Sequence, residues 1–225
     1  MEIFGLLKMP LIKFLCHSIQ QIPKLSQSNS YIFLFYFYIC TQSKAMQKRL
    51  VLDQQQIAII LKRFCHQLIE NHDTFENTVL LGLQPRGPIV LDKIAKTLEE
   101  ISGQKVNTGY LDATFHRDDF RRRDFPLKAN ETKIDFLIEG KEVVLIDDVL
   151  YKGRSVRAAL DAMIAFGRPK KVELMVLVDR KYTRDYPIMP DYCGIKVNTL
   201  ESQYVSVEWT EKGFEKDAIW ITEKA

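Results

Sequence analysis

The sequence predicts an α/β domain whose central sheet is mostly parallel and flanked by helices. Two patterns predict it: short apolar runs of strand length alternate with segments whose apolar residues recur every three or four positions, and Gly or Pro marks the turns between them. A third observation sets the scale. At 225 residues, 46% of them hydrophobic, the chain can bury one sizeable core, which excludes global disorder.

The alternation starts after residue 45. Asp53 stands where a helix N-cap belongs, ahead of Ile57, Ile60, Leu61, Phe64, Leu68 and Ile69 on one helical face, with Lys62, Arg63 and His66 on the other. Residues 79–83 read as a strand, residues 84–88 (QPRGP) as a tight loop, and residues 89–101 as a second amphipathic helix that Gly103 ends. Residues 106–115 read as a strand before the charged tract 116–133. The four apolar residues 143–146 suit a strand buried on both faces, residues 155–166 have helical spacing, Gly167-Arg168-Pro169 stops that helix, and residues 172–178 give the next strand. There is no internal repeat and no low-complexity linker, so residues 46–225 read as a single domain.

Residues 1–45 do not share this pattern. Residues 31–40 (YIFLFYFYIC) form an apolar run about half the length of a membrane-spanning helix, and the polar stretch 20–30 breaks the order of a secretory signal. The segment is expected to be a disordered extension or a mis-assigned start, and no membrane partner is expected. Of the 32 Lys and Arg and 29 Asp and Glu, four and one lie in residues 1–45, leaving 28 of each sign downstream. That neutral body excludes a whole-molecule polyanion footprint; nucleic acid could be met only by a local patch. Cys16, Cys40, Cys65 and Cys193 form no C-x-x-C pair, which argues against a zinc site or a disulfide framework and fits a reducing cytoplasm.

The segment that carries chemistry is Val143-Val144-Leu145-Ile146-Asp147-Asp148-Val149-Leu150-Tyr151-Lys152-Gly153-Arg154-Ser155. The carboxyl ends of parallel strands face the ligand crevice, so acids placed there are candidates for binding hydroxyls. A turn containing Gly153 that leads into a helix N-terminus offers backbone N–H groups to a phosphate. A ribose 5-phosphate combines both groups. Taken alone, Asp147 and Asp148 could equally end a strand and cap a helix. A Walker loop fits poorly, because Lys152 precedes the glycine.

The acid-acid-Gly-Ser spacing of this run resembles the loop of type I phosphoribosyltransferases that binds phosphoribosyl pyrophosphate (PRPP). Leu111-Asp112, Arg117-Asp118-Asp119, Gly167-Arg168-Pro169, Val176-Leu177-Val178-Asp179-Arg180 and Pro187-Ile188-x-Pro190-Asp191 extend the likeness over residues 46–225. They are similar to the branch of the family that joins uracil phosphoribosyltransferase activity to regulation of pyrimidine genes. The resemblance implies the type I fold with a small hood and a flexible arm. It implies the reaction of uracil with PRPP to give UMP and pyrophosphate, with Mg²⁺ as cofactor.

By the same resemblance, Asp147 and Asp148 bind the ribose hydroxyls and meet the metal through water, while Val149, Leu150, Tyr151, Lys152, Gly153, Arg154 and Ser155 hold the 5-phosphate. Pro85, Arg86 and Gly87 meet pyrophosphate, with Arg86 beside the two acids as a catalytic group. Asp179, Arg180 and Ile188 form the base side, and Arg117 and Arg121, with Arg122 and Arg123, belong to the arm. Lys152 stands where relatives usually have Thr. Tyr151 stands where some carry an acid that acts as base, leaving Asp112 and Asp179 as candidates to accept the uracil N1 proton. The base-side run 179–189 is one residue longer than the family pattern and ends on Met189 instead of Arg.

Lys62, Arg63 and His66 fall on the helix face that relatives turn toward a pyrimidine leader RNA, although three basic groups are also an ordinary solvated face. Homo-oligomers are implied. Two other readings stay open: an RNA-binding, nucleotide-sensing regulator with little catalysis, and a phosphoribosyltransferase for another nucleobase.

Overall fold

A computed structural model describes residues 48–118 and 129–223 of the chain. The expectations for residues 1–45 and for Arg121, Arg122 and Arg123 lie outside those residues. Everything described belongs to one compact unit, Met46–Ala225. Among the described residues, no helix is long and apolar enough to cross a membrane.

The elements run β1 (Arg49–Leu52), α1 (Gln54–His72), β2 (Thr78–Leu83), α2 (Gly87–Ser102), β3 (Asn107–Leu111), β4 (Glu142–Leu150), α3 (Arg154–Met163), β5 (Lys171–Lys181), β6 (Tyr192–Asn198), β7 (Gln203–Glu208) and β8 (Ala218–Glu223). Strands β3-β2-β4-β5-β6 form a parallel sheet in that order, and β1-β8-β7 form a small antiparallel one. The expected α/β fold with a parallel sheet is therefore present, and the three-stranded sheet stands as the small hood.

Local chemistry explains the helix starts. Asp53 Oδ1 accepts the Gln56 N–H at 2.8 Å while Gln56 Oε1 accepts the Asp53 N–H at 2.9 Å, a reciprocal cap that satisfies two otherwise unpaired donors. The stripe read on α1 is buried at Ile57, Ile60, Leu61, Phe64 and Leu68, with Cys65 added. Helices α1 and α2 cover one face of the sheet over Leu80, Val144, Ile146 and Met175, and α3 covers the other over Val79, Leu81, Val143 and Leu145. Lys93 on α2 pairs with Glu211 at 2.7 Å and Asp217 at 2.9 Å, which ties the hood region to the main body.

Two glycines set how closely α2 can approach. A Cβ on Gly87 would lie 2.3 Å from Ile146 O, and one on Gly82 would lie 2.9 Å from Pro88 N. Gly87→Ala must therefore push the start of α2 off β4. A stability loss of about 1–3 kcal/mol is expected, read as a melting temperature lower by several degrees. An unchanged melting temperature would show that the helix moves away at no cost.

The structure corrects one boundary that matters for the site. The sequence suggests a strand at 143–146 with the acids beyond its end, but β4 runs on to Leu150, with Val149 opposite Val178 and Leu150 opposite Asp179 on β5. Asp is a weak strand former, so its local preference is overridden by the ladder to β5. Both acids consequently lie within the strand, where neighbours alternate between faces.

Candidate active site

That alternation separates the two acids. Asp147 follows Val143 and Leu145 toward the α3 side, whereas Asp148 follows Val144 and Ile146 toward α2. Asp147 is half-buried in the wall of a cavity of about 420 Å³, lined also by Arg117, Val149, Leu150, Tyr151 and the turn Lys152, Gly153, Arg154, Ser155. Asp148 is not among the lining residues. It is 3% exposed, and its Oδ2 lies 3.6 Å from Arg86 Nη1, an ion pair too long for a hydrogen bond.

The electrostatics follow from this placement. Burial, and then the neighbouring Asp148 charge, push the Asp147 carboxyl well above the usual carboxylate range. Burial also raises Asp148, against the opposing pull of Arg86. Asp147 Oδ1 accepts the Asp148 N–H at 2.9 Å, which partly offsets the penalty.

The turn after β4 has the features of a phosphate cradle. Gly153 sits at φ +84°, a left-handed conformation that side chains rarely adopt, and it caps α3. The first N–H groups of α3 have no partner within the helix, and Arg154, Ser155 and Val156 at that end line the cavity. Arg117 Nη1 donates to Ser155 Oγ at 2.7 Å, so Arg117 and the turn meet. Two carboxylates hold the other cations: Arg154 pairs with Asp118 and, at 2.8 Å, with Asp185, and Lys152 lies 3.6 Å from Asp185. The hydrogen bond from Arg154 keeps Asp185 below the usual carboxylate range.

Pro85, Arg86 and Gly87 stand at the start of α2, with Arg86 as its N-cap and the Gln84–Pro85 peptide cis. They adjoin Asp148 instead of the cavity that Asp147 lines. Arg180, expected on the base side, is buried: Nε donates to Thr199 Oγ1 and Nη2 to Gln203 O, both at 2.9 Å, and its guanidinium lies 3.9 Å from the Tyr151 ring centroid. Ile188 packs beside Gly153, where a Cβ would meet its Cδ1 at 3.3 Å.

The structure also places three further candidates. Asp112 is an anchor: Oδ1 accepts from Thr114 N at 2.9 Å and Thr114 Oγ1 at 2.6 Å, and Oδ2 accepts from Asn130 N at 2.7 Å. Asp179 is paired with Arg184. Both carboxylates are thus held by donors of the protein itself. Arg63 donates to Cys193 O at 2.9 Å and Gly194 O at 2.8 Å, binding α1 to β6, so only Lys62 and His66 of that trio remain as uncommitted exposed groups. Sequence reasoning missed Arg184, whose acceptors are mostly backbone carbonyls and leave no residue signature.

The phosphoribosyl transferase domain model matches residues 49–212, more than half of the chain. The chain belongs to the phosphoribosyltransferase family. Among curated phosphoribosyltransferase relatives, the bifunctional protein PyrR of Clostridioides difficile is 42% identical over 178 residues, spanning 79% of this chain and 99% of that protein. PyrR of Desulfosudis oleivorans is 43% identical over 177 residues, spanning 78% and 97%. Among solved structures, a hypoxanthine phosphoribosyl transferase of Trypanosoma cruzi superposes with a TM-score of 0.61 at 12% identity, covering 80% of this chain and 94% of that one. A hypoxanthine-guanine phosphoribosyltransferase of Bacillus anthracis gives 0.57 at 14% identity, covering 80% and 99%. These last two establish the shared phosphoribosyltransferase fold.

Proposed function

We propose that this chain transfers the ribose 5-phosphate group of PRPP to uracil, giving UMP and pyrophosphate, and that it couples this activity to regulation of pyrimidine genes. The observation that carries the reading is the cavity that joins Asp147 on the central strand to the turn Lys152–Ser155, in a chain more than 40% identical to PyrR proteins along nearly their whole length.

Lys152, Gly153, Arg154 and Ser155 receive the 5-phosphate, and Asp147 accepts a ribose hydroxyl. Pro85, Arg86 and Gly87 meet pyrophosphate, and Asp148 acts from behind the ribose by holding Arg86. Arg180 and Ile188 flank uracil. As the bond to pyrophosphate loosens, positive charge grows on the ribose and negative charge on the leaving group, so fixed charges on either side lower the barrier. Mg²⁺ would be held chiefly by phosphate oxygens, with Asp147, which lines the cavity, as the carboxylate that meets it through water. Asp148, buried outside that lining with its Oδ2 facing Arg86, would act on the ion only at longer range. When bound, Mg²⁺ neutralises charge on the pyrophosphate.

Turnover of uracil, but not of purine bases, is expected with PRPP and Mg²⁺, and chelating the metal is expected to stop it. Preference for another base would overturn the uracil assignment. Full activity in Asp148→Asn would remove the acid pair from the mechanism. For the regulatory arm, a pyrimidine leader transcript is expected to shift in a gel at low salt and be released as salt rises, with Lys62→Ala and His66→Ala each weakening the complex. No shift at low salt would end that half of the proposal.

A further inference from the structure

Arg184 lies outside the cavity lining, yet its guanidinium holds the backbone that leads into the phosphate turn, at Leu150 and Tyr151. Nη1 donates to Leu150 O at 3.2 Å, to Arg180 O at 3.3 Å and to Tyr151 O. Nε donates to Ile188 O at 3.1 Å, and Nη2 pairs with the Asp179 carboxylate. One planar guanidinium therefore gathers carbonyls from the end of β4, the end of β5 and the base-side loop.

The direction of those carbonyls has a consequence for the turn. Gln84–Pro85 is the only cis peptide among the described residues, so the peptides 150–151 and 151–152 are trans. In a planar trans peptide the C=O and the following N–H point opposite ways. With Leu150 O and Tyr151 O drawn back to Arg184, the N–H groups of Tyr151 and Lys152 are turned away from it. Tyr151 and Lys152 line the cavity that Arg184 does not reach.

A left-handed residue follows at Gly153, and Lys152 O accepts the Asp185 N–H at 3.0 Å, so a second backbone contact holds the turn from the same loop. Arg suits this role better than Lys, since its five donors sit in a fixed fork and it remains charged. The Asp179 carboxylate on Nη2 balances the charge and fixes the plane of the fork.

We propose that Arg184 is a positioning residue that aims the amides of the PRPP turn by holding their carbonyls from behind, and locks the base-side loop to the same frame. The inference rests on the reading of the cavity as the PRPP site. It places Arg184 outside contact with substrate, so its removal misaligns binding before it touches chemistry.

The test is calorimetric titration of Mg²⁺-PRPP into the full chain, with steady-state kinetics alongside. Arg184→Gln is expected to weaken PRPP binding about tenfold or more and to raise the KM for PRPP in step. The kcat at saturating PRPP should stay within about threefold. Arg184→Lys, which keeps charge but not the fork, should fall between the two. A merely structural role would lower the melting temperature and leave the KM of the folded fraction unchanged, and that result overturns the proposal. Should Arg184→Gln fail to fold, Arg184→Lys decides: wild-type PRPP affinity in that variant also overturns it. No heat with the wild-type chain overturns the PRPP reading itself, and the inference with it.

Discussion

Asp147→Asn is expected to cut turnover by a hundredfold or more and, at the same time, to raise the melting temperature at neutral and alkaline pH. Both effects come from one carboxylate. Asp147 is half-buried, and burial followed by the adjacent Asp148 charge lifts its pKa well above the ordinary range. A raised carboxyl pKa means that the folded protein holds its proton more tightly than the unfolded chain. Below the ordinary value of about 3.9 both states are protonated and the group contributes no difference. As pH rises from there, the unfolded chain ionises first, so stability falls until the folded pKa is passed and the ionic cost is fully present.

Asparagine removes that cost while keeping an oxygen able to accept the Asp148 N–H. The stabilisation is on the order of 1 kcal/mol or more, because an uncompensated carboxylate is expensive to hold away from water. For a domain of this size that corresponds to about 2–4 °C. The gain should vanish near pH 4 and be present at pH 8. On the proposed role of Asp147, activity falls because a neutral amide cannot answer the positive charge that develops on the ribose. Scanning calorimetry of wild type and variant at the two pH values checks the stability half. A variant less stable than wild type at pH 8 would show that the acid is not strained in the resting protein. The expected gain, by contrast, marks a site that trades stability for chemistry, as functional sites commonly do.

Much of the main sheet was legible because its signals are local. Asp53 with Gln56 marks a cap within four residues, the α1 stripe repeats on one face, and Gly103 closes α2 in a left-handed turn. The strand-turn-helix at 143–163 carries its own composition. What stayed hidden depends on partners distant in sequence. Strand β6 owes its place to pairing with β5 and to Gly194, where a Cβ would lie 2.4 Å from Leu177 O. Strands β1 and β8 meet across most of the domain, Arg49 opposite Ile221, and nothing near either end announces the other. The residue types of the site could be read, but their facing could not. Whether Asp147 and Asp148 share a wall depends on where β4 stops, and the ladder to β5 decides that. Arg184 illustrates the same limit, since its place is defined by carbonyls that every residue possesses.

The separation of the acids leads to the second large effect, at Arg86. Asp148 is nearly inaccessible to solvent, its Oδ2 accepts no hydrogen bond, and Arg86 at 3.6 Å is the cation that counters the rise that burial imposes on its pKa. Arg86→Gln removes that cation and, on the proposed roles, a donor to the departing pyrophosphate. A loss of about 100- to 1,000-fold in kcat/KM is expected, the scale seen when one preorganised charge-stabilising donor is deleted. Without Arg86, Asp148 should also hold its proton to higher pH, so the acidic limb of the kcat/KM profile should move upward. Its removal leaves the buried Asp148 without a counter-charge, so the variant should also be less stable at neutral pH, a loss moderated by the exposure of Arg86 to water. If Arg86 and Asp148 act as one unit, Arg86→Gln combined with Asp148→Asn costs much less than the product of the two single losses. Full multiplication of the losses would mean that the arginine serves pyrophosphate independently, and that the buried acid reaches the ribose by a route that does not pass through it.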